Sequence, residues 1–206
     1  MSSFDLLVAT HNAGKLREYQ ELLRGLDVNL FSLADKDITL DVEEPFETLE
    51  ENAAAKAQGY AQHSGLFTLA DDTGLFVDAL PNGGPGAWPA RYGGPGLTVP
   101  QRRQKLLEAL AGVPEAERTA RFICVIALGN PQDNSVQQVQ GVVEGRIALE
   151  EDEQGKEGFG YDALFIPEGY DVAWSSVPLA EKNQLSHRGR ATQAIIPLIE
   201  AQLKAR

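Results

Sequence analysis

The sequence predicts a mixed α/β fold, a twisted mixed β-sheet flanked by helices. Three observations carry this expectation: an apolar strand leads into an amphipathic helix at the start, strand candidates mass in the middle, and a helix with an apolar face closes the chain. Strand and helix do not alternate strictly, which argues against plain βαβ winding. The 206 residues suffice for one large domain or two interlocked lobes, and a 43% hydrophobic content allows a sizeable core and excludes disorder.

The elements follow in order. Phe4 to Ala9, rich in Leu and Val, reads as a strand. Asn12 caps a helix with Leu16, Tyr19, Leu22, Leu23 and Leu26 on one side. Val28 to Ser32 is a second strand. Thr48 and Glu51 have capping-box spacing and open an Ala-rich helix ending near Gly65. Phe67 to Ala70 and Leu75 to Leu80 read as two strands around Asp71-Asp72-Thr73-Gly74. Pro81 to Gly96, with six glycines and four prolines, reads as an ordered loop or a lid. Thr98 caps a helix that stops at Gly112. Arg121 to Gly129 is a strand, and the glycine breaks in Val136 to Leu149 suggest a hairpin. Six acids between Glu144 and Glu157 mark a solvated connection, so Glu150 to Glu153 read as surface. Tyr161 to Ile166 is a strand. The last helix starts near Ser186, with Pro197 expected to kink or break it.

Charge and cysteine usage narrow the function classes. A net charge of −12 repels nucleic acid and anionic membranes, so neither is expected as a partner. No apolar run approaches the ~20 residues that span a bilayer. Met1 to Asp5 lacks a basic leader, and the lone Cys124 in an apolar run reads as an inert buried residue, so a cytoplasmic location is expected. A polyphosphate would also be repelled unless Lys, Arg and metal locally reverse the field, and that requirement directs the search for a site.

Five segments carry candidate chemistry. Thr10, His11, Asn12, Ala13, Gly14 and Lys15 join the first strand to the first helix, where amide donors, the dipole and the Lys15 charge suit phosphate. This is not a Walker A loop, since Ala9 stands where the first glycine belongs and Leu16 replaces the Ser or Thr after the Lys, and an ordinary capped turn is the plain alternative. Glu43 and Glu44 precede a helix carrying Asn52 and Lys56. One Glu suits magnesium, which takes one or two carboxylates, and Lys56 suits phosphate. Asp72 and Thr73 end an apolar strand, where acids are costly unless bound or paired. Asp72 suits a metal or an attacking water, although Asp72-Thr73-Gly74 is also good β-turn chemistry. The same triplet occurs in aspartic proteases, but that class needs a second such motif or a dimer that supplies one, and the Gly/Pro loop after Leu80 gives it no support.

Phe159, Gly160, Tyr161 and Asp162 place an aromatic between glycines, suited to stacking on a base, with Asp162 able to accept from a ring N–H. A bulge with core aromatics is the plain alternative. Lys182 precedes a helix start capped by Ser186, and His187 and Arg188 lie in its first turn, where the dipole disfavours cations, so basic residues there suggest an anion or a carbonyl oxygen.

Taken together, the segments resemble the inosine triphosphate pyrophosphatase family. The matching blocks are Ala9-Thr10-His11-Asn12 through Lys15, Glu51-Asn52-Ala53 through Lys56, Ala70 to Gly74, Gly158 to Asp162, and Lys182 through Ser186-His187-Arg188. The Gly86 to Tyr92 stretch is similar to the family's loop after the acidic motif. The resemblance implies a single domain over residues 1–206, formed of two lobes with a nucleotide cleft between them. It also implies magnesium, a homodimer, and hydrolysis of inosine, deoxyinosine or xanthosine triphosphate to monophosphate and pyrophosphate. It implies Asp72 as the catalytic acid and Glu44 with Asp72 as the metal site, with Glu43 an adjacent candidate. Thr10 to Lys15, Lys56 and Thr73 match the phosphate contacts, and Phe159 to Asp162, Lys182, His187 and Arg188 match the base and sugar pocket. Two departures stand out. Ala163 replaces a common Pro, and Ala173-Trp174-Ser175 replaces Ala-Glu-Leu, which puts the loop before Lys182 in doubt. A non-catalytic purine-nucleotide sensor is the rival reading.

Overall fold

The computed structural model describes residues 4–155 and 158–204. Met1 and Glu157, used above for the leader and the acidic run, lie outside them. One six-stranded sheet has the order β2-β1-β3-β4-β5-β6. The strands are β1 (Phe4–Val8), β2 (Val28–Ser32), β3 (Phe67–Val77), β4 (Thr119–Gly129), β5 (Val136–Ile147) and β6 (Phe165–Pro167). Strand β1 pairs parallel with β2, Phe4 facing Val28, and parallel with β3, Leu6 facing Phe67. Strand β6 pairs antiparallel with β5, so the sheet is mixed as expected. The helices are α1 (Ala13–Leu22), α2 (Leu49–Ser64), α3 (Val99–Ala109), α4 (Leu179–Leu185) and α5 (His187–Lys204).

The chain divides into two compact units, to both of which β3, β4 and β5 contribute residues. The first comprises residues up to Asp72, Cys124–Gly141, and the chain from Arg188. Its core follows each element's own period. Phe4, Leu6 and Val8 alternate on β1, while Tyr19 on α1 with Leu23 at its C-cap, and Ala191, Ile195 and Ile199 on α5, recur every fourth residue. Asn12 caps α1 by accepting from the Gly14 and Lys15 amides, and Thr48 caps α2 by accepting from the Glu51 amide. The second unit comprises Thr73–Ile123 and Val142–His187. Leu75, Val77, Phe122, Phe165 and the fully buried Trp174 form its core with Leu106 and Leu110. A reciprocal box between Thr98 and Gln101 starts α3.

Five local expectations are corrected. Residues 67–77 form one strand of 11 residues, so Asp71 to Gly74 is not a turn. Burial on both faces keeps the chain extended there. Likewise β5 is one strand of 12 residues and not a hairpin. Tyr161 to Leu164 is a turn, with β6 starting only at Phe165 because the Leu164 and Phe165 amides both donate to the Tyr161 carbonyl. Of the kink or break expected at Pro197, the break is corrected, because helix α5 continues through that exposed residue. Glu151 and Asp152 are not free surface acids. Glu151 pairs with Arg103, and Asp152 accepts from the Ser175 and Ser176 hydroxyls, which steadies the segment put in doubt around Trp174.

Candidate active site

Alternation along β3 sends neighbouring acids to opposite faces of the sheet. Asp71 shares a face with Leu69, and Asp72 with Ala70. The two environments differ sharply.

Asp71 is buried at 3% exposure. Its Oδ2 lies 2.8 Å from Lys15 Nζ and 3.2 Å from Arg188 Nη2, and the Cys124 thiol donates to it at 3.7 Å. Arg188 Nη1 donates in turn to Glu18 Oε2 at 2.5 Å. Glu18, Arg188, Asp71 and Lys15 thus alternate in charge through the interior. Burial pushes the Asp71 carboxyl up, but Lys15, Arg188 and Lys56 outweigh it and hold the group well below the usual carboxylate range. The Arg188 guanidinium is pushed the other way: burial lowers it, and Asp71 and Glu18 raise it further.

Asp72 lies on the α2 side, where Lys56 is one turn beyond Asn52. Lys56 Nζ stands 3.6 Å from Asp72 Oδ1 and 2.6 Å from Glu44 Oε1, and donates to the Asp71 carbonyl at 2.7 Å. The Asn52 side chain both donates to the Phe46 carbonyl and accepts from its amide, tying the segment after Glu44 to α2. Burial raises the Asp72 carboxyl. Lys56 and Lys15 oppose that shift and Glu44 and Asp71 support it, so the net direction is upward. Glu44 therefore meets the predicted partners, whereas Glu43 is exposed. The Thr10–Lys15 segment caps α1 as described, with Lys15 turned to Asp71 and His11 Nε2 3.4 Å from the Tyr60 hydroxyl.

In the second unit, Asp162 Oδ2 accepts from the Phe159 amide at 2.6 Å and from Lys182 Nζ at 2.8 Å. Lys182 also sits 5.3 Å from the centre of the half-exposed Phe159 ring. His187 stacks on Phe122 with centroids 4.7 Å apart. Tyr161 turns away from stacking, donating its hydroxyl to the Pro89 carbonyl at 2.9 Å. Thr73, half-buried on β3, also belongs to this unit.

The geometry brings Lys15, Lys56, Glu44 and Asp72 together as the sequence implied, and Phe159, Asp162 and Lys182 likewise. It places Arg188 differently. The guanidinium is 1% exposed and held by two acids, so a role in reading a base requires it to exchange one of them. Three participants escaped the sequence reading: Asp71, Glu18, and Arg103, whose guanidinium donates to the Gly160 carbonyl. Glu18 lies three residues after Lys15, on the same helical face, and that spacing is the signal that could have found it.

A sequence model of the Ham1 family matches residues 6–198. The chain belongs to the Ham1 family. The match takes in every site segment from Thr10 to Arg188. The dITP/XTP pyrophosphatase of Bacillus subtilis is 40% identical over 199 residues, 96% of this chain and 98% of that protein. The dITP/XTP pyrophosphatase of Geobacter sulfurreducens is 45% identical over 186 residues, 90% of this chain and 92% of that protein. The solved structure of a HAM1 protein from Coxiella burnetii superposes with a TM-score of 0.84 at 39% identity, covering 96% of this chain and 99% of that one. Ham1 membership bears out the resemblance read from the sequence.

Proposed function

We propose that this Ham1 chain hydrolyses purine nucleoside triphosphates with a deaminated base, such as deoxyinosine, inosine or xanthosine triphosphate, to monophosphate and pyrophosphate. The observation that carries the chemistry is Lys56 bridging two carboxylates, Glu44 and Asp72, next to a second cation, Lys15, held on Asp71. Near-full-length identity of about 40% to dITP/XTP pyrophosphatases supports the substrate class.

The donor set fits magnesium. Among the described residues no group of three or more His, Cys, Asp or Glu could hold a metal, so a metal enclosed by protein ligands alone is not built. Two carboxylates suffice for magnesium, which completes its shell with water and phosphate oxygens. Glu44 and Asp72 would hold it, and its charge would offset that of the polyphosphate. Asp72 orients a water in line with the α-phosphorus and takes its proton as the new P–O bond forms. The bond from the α-phosphorus to the bridging oxygen breaks, and pyrophosphate leaves against the charges of Lys15 and Lys56. Burial raises the Asp72 carboxyl above its ordinary value, the direction that strengthens it as a base.

The proposal gives base recognition to Phe159–Asp162, Lys182 and His187, with Arg188 joining once it leaves Glu18 or Asp71. One functional domain over residues 1–206, acting as a cytosolic homodimer, completes it. Among the described residues no helix is long and apolar enough to cross a membrane. The test is pyrophosphate release with magnesium from inosine, xanthosine, adenosine and guanosine triphosphates, with the co-product identified. Strong turnover of the first two, yielding monophosphate, is expected. Binding of inosine triphosphate without turnover would favour a sensor.

A further inference from the structure

The segment from Gly158 to Asp162 is gripped by a cation from another element. Arg103, on α3, donates from Nη1 to the Gly160 carbonyl at 2.8 Å and pairs through Nη2 with Glu151. Its side chain is only 15% exposed. A second acceptor of the segment, Asp162 Oδ2, already takes the Lys182 ammonium and the Phe159 amide. The protein's own donors therefore already engage these two acceptors.

This matters for a purine's 6-position. Inosine and xanthosine present an oxygen there, which needs a donor. Adenosine presents an amino group, which needs an acceptor, and a buried donor left unpaired is costly. We propose that Arg103 is a specificity-determining residue: by holding the Gly160 carbonyl, it fixes the segment and keeps that acceptor from a 6-amino purine. The inference rests on reading residues 158–162 as the base-facing segment.

The test compares kcat/KM for inosine and adenosine triphosphates, with melting temperature, in Arg103→Met, Arg103→Lys and Lys105→Met. Lys105 lies on the same helix, exposed and paired with Glu108, and serves as the control. In Arg103→Met the inosine-to-adenosine ratio is expected to fall at least ~10-fold, mainly through KM. In Arg103→Lys, which keeps a donor but loses the planar fork, it should lie between that value and the wild type. Lys105→Met should keep the wild-type ratio. A folded Arg103→Met protein with the wild-type ratio, or with both substrates slowed equally, overturns the proposal. If Arg103→Met does not fold, Arg103→Lys decides: a reduced ratio supports the proposal and a wild-type ratio ends it. A wild-type protein with no preference between the two triphosphates would sink the base-facing reading itself, before Arg103 is touched.

Discussion

The first unit gathers Lys15, Lys56 and Arg188 around Glu18, Glu44, Asp71 and Asp72, with side chains drawn mainly from α1, α2, β3 and α5. In the second, Phe159 lies beside a turn held by hydrogen bonds from Arg103 to Gly160, from Tyr161 to Pro89 and from the Phe159 amide to Asp162, and by a buried ion pair, Lys182 with Asp162. A buried charge must meet its opposite within hydrogen-bond distance or neutralise, so the linked charges of the first unit, most of them on helices and β3, leave little latitude. A stacking ring tolerates more latitude and can be carried on a turn. Chemistry should therefore fail abruptly when the first unit is altered, and affinity should decline gradually when the second is.

The sharpest break is expected at Asp72. Asp72→Asn keeps the shape but removes the base that the proposal assigns to Asp72, and kcat should fall by ~10³ or more with the melting temperature near wild type. Retained turnover would remove the division of labour altogether. Next comes stability at Asp71. Asp71→Asn leaves Lys15 and Arg188 without their shared counter-ion, at a cost of about 3 kcal/mol at neutral pH. The Asp71 carboxyl is held below its ordinary value, so its stabilisation is complete above the unfolded value of about 4 and is lost as pH falls towards the folded value. The gap in melting temperature between wild type and variant should then narrow below about pH 4. A gap constant with pH would show that the carboxylate's charge is not what stabilises the interior. The smallest effect is expected at Phe159. Phe159→Ala should raise KM about tenfold with kcat little changed, the loss of one stacked base. A fall in kcat instead would erase the contrast between the units.

The sequence carried the N-terminal strands, the caps at Asn12, Thr48 and Thr98 and the mixed class, because these depend on local chemistry. It split β3 at Asp71-Asp72-Thr73-Gly74 because turn-favouring residues outweighed the apolar flanks, whereas tertiary burial held the chain extended. Lys15, Lys56, Glu44 and Asp72 were legible through the family resemblance, and geometry separated Glu44 from Glu43. Asp71 and Asp72 could not be told apart by residue type. Their different fates come from which face of β3 each occupies and which helices pack there. Arg188 read as a donor awaiting a ligand because Glu18, 170 positions away, is invisible as its partner in one dimension.

The two glycines flanking Phe159 leave different room for variation. Gly158, at φ +80, would drive any Cβ into the Asp162 side chain, so the position is closed to every other residue while that carboxylate stays where it is. Gly160, at φ +63, would find open space, and Asn or Asp, which visit that backbone region most readily, fit there at modest cost. A drifting lineage can therefore rewrite the second glycine and keep the turn, while the first marks a position where drift stops.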